Sequence, residues 1–156
     1  EKIAALMDCT GDSYKSINGY LFGGRNPSKD VIHQVECIDE AISDHITRER
    51  FTVDRQMRLS TFHVNDMESL FDLNTGRTFE HIGYMATSIK EGGIDVDGED
   101  RIATRILVPP GSAGVYVEPI TQHPGEYEIL LPRGRALRFE GLGASDGRPI
   151  VYLRLL

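Results

Sequence analysis

The chain has 156 residues, 40% of them hydrophobic and 26% charged, with a net charge of −7. That length supports one domain with a sizeable core and is short for two, and the composition is that of a soluble globular protein, not a disordered or membrane-spanning chain. The acidic balance argues against a broad phosphate-binding surface, which needs clustered Lys and Arg, and leaves room for a small basic pocket.

The N-terminal stretch EKIAALMDCT lacks the basic start and long apolar centre of a signal peptide, and it lacks an initiator Met. Residues 1–156 are therefore expected to be a single domain taken from a longer chain that carries any targeting segment. Within residues 1–50 the spacing is helical. In SYKSINGYLFGG, Tyr14, Ile17, Tyr20 and Leu21 fall at helical intervals, and Gly23-Gly24 is a stop. In SKDVIHQVECIDEAISDH, Val31, Val35, Ile38 and Ile42 form one stripe, with Ser28 as N-cap and Asp30 in the first turn.

After Arg48 the texture changes. RFTVDRQMRLS alternates as a strand does, DMESLFDLN reads as a short helix, and IGYMATSI reads as a strand entering the polar, Gly-rich loop KEGGIDVDGED. RIATRILVPPG alternates until Pro109-Pro110-Gly111 stops it. Further strands are expected near 114–118, 126–132 and 135–141, and RPIVYLRLL is the last. The sum is an α+β fold, helices packed beside largely antiparallel sheets. Cys9 and Cys37 lack metal-ligand spacing and read as free, buried thiols. The five His residues form no HxxxH pattern, so no metal is expected.

Three features could carry chemistry. Glu126 and Glu128 head the apolar run EYEILLPRG. On a regular strand both would point to one face with Cα atoms roughly 6.5 Å apart. Such a pair can divide the work of moving a proton and stabilising positive charge, or it can be the wet face of an ordinary strand. Arg55, inside an alternating strand, is either exposed or a cleft-lining guanidinium that needs an anionic partner. Thr87 and Ser88 end a strand, where their hydroxyls can bond a neighbouring strand or brace a carboxylate.

Taken together and in order, these residues resemble the mono-ADP-ribosyltransferases of the bacterial toxin type, in their Arg–Ser–Glu class. The family pattern is an Arg in the first core strand, a Ser-Thr-Ser strand and a Glu-x-Glu pair opening a later strand. Its counterparts here are Arg55 in VDRQ, Ala86-Thr87-Ser88 in YMATSI and Glu126-Tyr127-Glu128 in PGEYEILLPRG. SYKSINGYL resembles the helix that covers the NAD cleft in that family, and GVYVEPITQHPGEYEILLPRG resembles the segment around its catalytic glutamates.

The resemblance implies two packed, mainly antiparallel sheets forming an NAD cleft, with N-terminal helices beside it. It implies NAD as substrate, and as catalytic residues Arg55, Ser88, Glu126 and Glu128. Tyr14, Arg55, Thr87, Ser88, Arg101 and Glu128 would contact NAD. Glu128 would stabilise the oxocarbenium-like cation as nicotinamide leaves, and Glu126 would activate the acceptor. In this family Glu-x-Glu goes with arginine as acceptor. The turn from Pro119 to Gly125 would meet the target protein; it holds His123 but no Phe or Trp.

The implied setting is a bacterial or phage effector, secreted or delivered into a target cell's cytoplasm, with a delivery or immunity partner. The acidic charge and Glu126 speak against a nucleic-acid acceptor. Three departures stand out: Ala86 replaces the first Ser, Asp54-Arg55-Gln56 replaces Tyr-Arg-Gly, and KEGGIDVDGED lacks an aromatic to stack on nicotinamide. Two rivals stay open: an NAD glycohydrolase, in which water replaces the acceptor at the same site, and a non-catalytic member that binds NAD or a partner, which Ala86 keeps alive.

Overall fold

The computed structural model describes residues 2–10, 14–23, 28–93 and 100–156, with the side chains of residues 8–10 and 14 outside that description. Three helices come first: α1 (Lys2–Thr10), α2 (Tyr14–Leu21) and α3 (Lys29–Ser43). The expected N-cap of α3 is present. The Ser28 hydroxyl accepts the Val31 N–H at 3.2 Å and Asp30 sits in the first turn, both favourable at the positive end of the helix dipole. The predicted stripe is buried at Val35, Ile38 and Ile42. Helix α2 stops at Gly23, whose φ of 81° is a left-handed conformation that glycine adopts without a Cβ clash.

Eight strands follow: β1 (Phe51–Arg58), β2 (Thr78–His81), β3 (Met85–Ser88), β4 (Arg101–Val108), β5 (Val115–Tyr116), β6 (Glu128–Leu131), β7 (Arg135–Ser145) and β8 (Arg148–Leu155). A 3-10 turn at Leu59–Phe62 and helix α4 (Met67–Phe71) lie between β1 and β2; the Asp66 carboxylate caps α4 by accepting the Ser69 N–H at 2.7 Å. The loop expected over residues 90–100 is described only as far as Gly93 and at Asp100.

The strands are hydrogen-bonded in the order β2-β7-β8-β4-β1-β3-β6-β5. Only β4 and β8 run parallel. The two expected sheets are the two halves of this ladder, because β1 and β3 share one residue pair, Asp54 with Ser88. The halves then part and pack on each other.

Cross-strand partners share a face, and neighbours along a strand alternate. Met85 and Leu131 are partners and join Val53, Met57 and Ile106 of the larger half in one core. Ala86 and Leu130, the next pair, face the helices and join Ile17, Ile38 and Ile42 in a second core. The smaller half is thus covered on both faces, so β6 reads as a continuous apolar run and not as an alternating one.

Two elements differ from expectation. Strand β2 was not foreseen: TFEH holds one buried apolar residue, Phe79, and forms by pairing with β7 at the edge of the sheet. Strand β6 starts at Glu128 and not at Glu126, for a reason that belongs to the site. No helix among the described residues is long and apolar enough to cross a membrane.

Leu131, fully buried between the halves, tests this packing. Leu131→Ala is expected to cost about 2–5 kcal/mol in chemical denaturation, against less than about 0.5 kcal/mol for Glu80→Ala on the exposed side of β2. Equal losses for the two variants would contradict the two-faced burial of β6.

Candidate active site

The parting of β1 and β3 creates the site. Continued pairing past Asp54 and Ser88 would put Gln56 opposite Ala86. Instead the Ala86 carbonyl accepts a hydrogen bond from Nη1 of Arg55 at 2.7 Å. The guanidinium takes the place of the missing strand contact. Its Nε is buried with no partner among the described residues, which leaves a donor for an anion. Burial lowers the Arg55 pKa to about 10, against the opposing pull of the Glu128 carboxylate; the group stays charged at neutral pH.

Glu128 is 5% exposed and stands opposite Ser88 in the ladder. Its pKa is pushed up to about 7, first by burial and then by the negative charge of Glu126, with Arg55 pulling it down and Glu118 adding to the rise. His81, at the end of β2, is also close enough to feel Arg55. Burial and that cation lower its pKa to about 4, and its Nδ1–H donates to the Gly83 carbonyl at 2.8 Å, so the ring is neutral at working pH.

Glu126 is not on the strand. Tyr127 has φ of 49°, a left-handed conformation that breaks the alternation expected from EYE. Glu126 therefore projects from a turn, half-buried, while Glu128 is buried on β6. The pair expected on one strand face is an unlike pair in two environments. The hydroxyls of β3 hold the backbone here. Thr87 Oγ1 donates to the Ile129 carbonyl at 2.7 Å and Ser88 Oγ donates to the Glu126 carbonyl. Both brace the segment carrying the glutamates; neither touches the Glu128 carboxylate.

Behind Arg55 lies a feature the sequence reading missed. Asp54, 6% exposed, forms a bidentate pair with Arg105 of β4 at 2.8 and 2.9 Å, and accepts the Gly92 N–H at 3.1 Å. The pair raises the Arg105 pKa further above its ordinary value. Asp54 and Arg105 are cross-strand partners, a juxtaposition that only the β1–β4 register reveals. The carboxylate ties the turn after β3 onto β1. Gly93 lies flat on that strand at φ of 68°, where a Cβ would come within 2.6 Å of the Arg55 nitrogen, so the close approach requires glycine. Glu118 and His81 were also missed; nothing in their local patterns marks them.

Arg55, Thr87, Ser88, Glu126 and Glu128 are thus brought together. Arg101 is not gathered with them. It is exposed at the start of β4, opposite Arg58, and alternation puts it on the face away from Thr104, the partner of Arg55. Tyr14 opens α2, but its side chain lies outside the described residues. Cys37 is a free, buried thiol, with Sγ 3.6 Å from Nε2 of His33; the side chain of Cys9 lies outside the description. Among the described residues no cluster of His, Cys, Asp and Glu could hold a metal ion.

Chemically, the site offers a permanent cation with a spare donor, a buried carboxylate that ionises near neutrality, and a second carboxylate nearer solvent. Comparison with known proteins points the same way. A curated relative, the mono-ADP-ribosyltransferase C3 of Clostridium botulinum C phage, is 39% identical over 75 residues, a stretch that covers 47% of this chain and 30% of the relative.

Among solved structures, the ADP-ribosyltransferase toxin Plx2a of Paenibacillus larvae superposes with a TM-score of 0.81 at 21% identity, over 99% of this chain and 85% of that one. C3stau2 of S. aureus, solved with NAD, superposes with a TM-score of 0.81 at 22% identity, over 99% and 86%. At such identities these likenesses speak for the fold alone. The sequence model of the ADP-ribosyltransferase exoenzyme family matches residues 1–149, and the chain belongs to that family.

Proposed function

We propose that the chain cleaves NAD and transfers its ADP-ribose to an arginine side chain of a target protein, as the catalytic part of a bacterial or phage effector delivered into another cell. The observation that carries this reading is the unlike pair of glutamates beside a buried cation. Glu128 is desolvated and faces Arg55 electrostatically; Glu126 is the more accessible and sits two residues earlier, on a turn. The curated relative is named a mono-ADP-ribosyltransferase, and one structural relative was solved with NAD.

In this reading the unpartnered Nε of Arg55 meets an oxygen of the NAD diphosphate or ribose, which satisfies a buried donor. Glu128 accepts a hydrogen bond from a hydroxyl of the nicotinamide ribose. The bond from C1′ to the nicotinamide nitrogen breaks and its electron pair leaves with nicotinamide. The ribose becomes an oxocarbenium-like cation, stabilised by the ionised Glu128. A guanidine nitrogen of the acceptor then bonds C1′, and its proton passes to Glu126. Thr87 and Ser88 act as positioning residues through the backbone of the Glu126–Ile129 segment. Tyr14, at the head of α2, is proposed to reach NAD from the helical side.

Three outcomes test this. Glu128→Ala should lower NAD cleavage at least about 100-fold, with nicotinamide release as the readout; retained turnover would remove Glu128 from the chemistry. Glu126→Gln should lower labelling of a small guanidine such as agmatine more than it lowers NAD hydrolysis. An equal fall in both would deny Glu126 its link to the acceptor, and free ADP-ribose with no labelled acceptor from the unaltered chain would favour a glycohydrolase.

Because the carboxylate is the active form, cleavage should rise with pH through about 7, where Glu128 ionises. The same group opposes folding. Its pKa is raised from 4.5 to about 7, so the folded chain holds a proton that the unfolded chain has released, and stability falls as pH rises across that window. Glu128→Gln should remove this slope and stabilise the chain at pH 8 by about 3 kcal/mol. Thermal unfolding at pH 5 and pH 8 measures it, and an unchanged slope would show that Glu128 is not the buried acid.

A further inference from the structure

Glu118 follows β5 and has no part in the chemistry above. Its carboxylate accepts two backbone hydrogen bonds, from the Gly125 N–H at 2.7 Å on Oε1 and from the Tyr127 N–H at 3.0 Å on Oε2. These amides flank Glu126. From the other side, the end of β3 supplies donors to the carbonyls: Ser88 Oγ to Glu126, and the Ile89 N–H to Tyr127 at 3.2 Å. The backbone around Glu126 is therefore held on both edges.

Two residues of this turn have positive φ, and the one that is not glycine needs such support. Gly125 has φ of 92° and Tyr127 has φ of 49°. The second is unfavourable for a residue with a Cβ, and it persists only where the surroundings impose it. Charge-assisted bonds to a carboxylate are about twice as strong as neutral ones. Yet a third carboxylate beside Glu126 and Glu128 is electrostatically unfavourable, since its charge adds to the rise in the Glu128 pKa. An uncharged acceptor could hold the turn without that cost. The placement calls for an offsetting role.

We propose that Glu118 is a positioning residue for acceptor transfer: by clamping the amides on either side of Glu126, it holds that carboxylate in one orientation beside Glu128 and so sets how much ADP-ribose reaches an acceptor instead of water. This rests on the reading that Glu126 serves the acceptor. The clamp makes no bond to the NAD-cleaving residues and reaches Glu128 only through its charge, so above the pH at which Glu128 ionises its loss falls on the partition between products. Displacement of a reacting group by about 1 Å can cost on the order of 100-fold, and a freed turn readily moves that far.

The test uses the chain as it is, NAD, agmatine as a probe guanidine, and the variants Glu118→Ala, Glu118→Gln and Glu118→Asp. The ratio of agmatine labelling to NAD hydrolysis should fall about tenfold or more in Glu118→Ala. Glu118→Gln keeps one acceptor oxygen and should fall between, and Glu118→Asp should restore part of the ratio. The groups facing Glu128 are Arg55 from β1, Glu126 from the turn and Glu118 from the segment after β5. Removing the Glu118 charge in Glu118→Gln should accordingly move the acid limb of cleavage to lower pH.

Hydrogen exchange by NMR reads the clamp without any substrate: the Gly125 and Tyr127 amides should lose protection in Glu118→Ala. Unchanged protection overturns the proposal, as does an equal fall of labelling and hydrolysis. If the alanine variant does not fold, Glu118→Gln decides. An unaltered chain that cleaves NAD but labels no guanidine defeats the acceptor reading itself, and the exchange rates tell that outcome apart from failure of the clamp.

Discussion

The hydrogen bond from Arg55 to the Ala86 carbonyl governs the architecture of the site. It lies where the ladder passes from β1 to β3 through one residue pair and then divides. A guanidinium can occupy that position because it is planar, permanently charged and rich in donors. It satisfies a strand carbonyl that the divided ladder leaves without a β1 backbone partner, and so bridges the two halves where they part. The same placement fixes a cation between the halves. The ionisation of Glu128 and the neutrality of His81 both follow from burial modulated by that cation.

Adjacent residues on β1 perform opposite tasks because alternation sends them to opposite faces. Arg55 faces the interior between the halves. Asp54 faces the other way, pairs with Arg105 and captures the turn after β3 through Gly92. Losing Arg105 would leave the buried Asp54 carboxylate without its counter-charge, which is far more costly than losing a surface pair. The local order around the site therefore depends on two consecutive charged residues in the middle of a strand. The apolar cores on both faces of β3 and β6 offset what this arrangement and the buried Glu128 cost.

The glutamates show how one dipeptide spacing can mean two different things. Read as a strand, EYE gives equivalent carboxylates on a common face. Folded, Tyr127 turns left-handed, and Glu126 and Glu128 belong to a turn and a strand respectively. Burial then separates their acidities, with Glu128 alone pushed up to about 7. A buried and an accessible carboxylate can take different roles, which equivalent ones could not.

Much of the scaffold was legible from local pattern. The α3 stripe with its Ser28 cap, the alternation of β1 and β4 and the stop at Pro109 are periodicity and capping effects that depend on near neighbours. The order of Arg55, Thr87-Ser88 and Glu126-Tyr127-Glu128 was enough to point to the family. What the sequence could not determine was whatever depends on partners distant along the chain. Strand β2 exists because β7 pairs with it, Asp54 finds Arg105 through the β1–β4 register, and Arg101 stands apart because alternation turns it away from Arg55. The left-handed Tyr127 is held by Glu118 and by the end of β3, neither of which its own residue type announces. Local propensity fixes an element within a few residues, whereas a pKa, a buried ion pair or a strained turn is set by what packs against it, and only the tertiary structure supplies that.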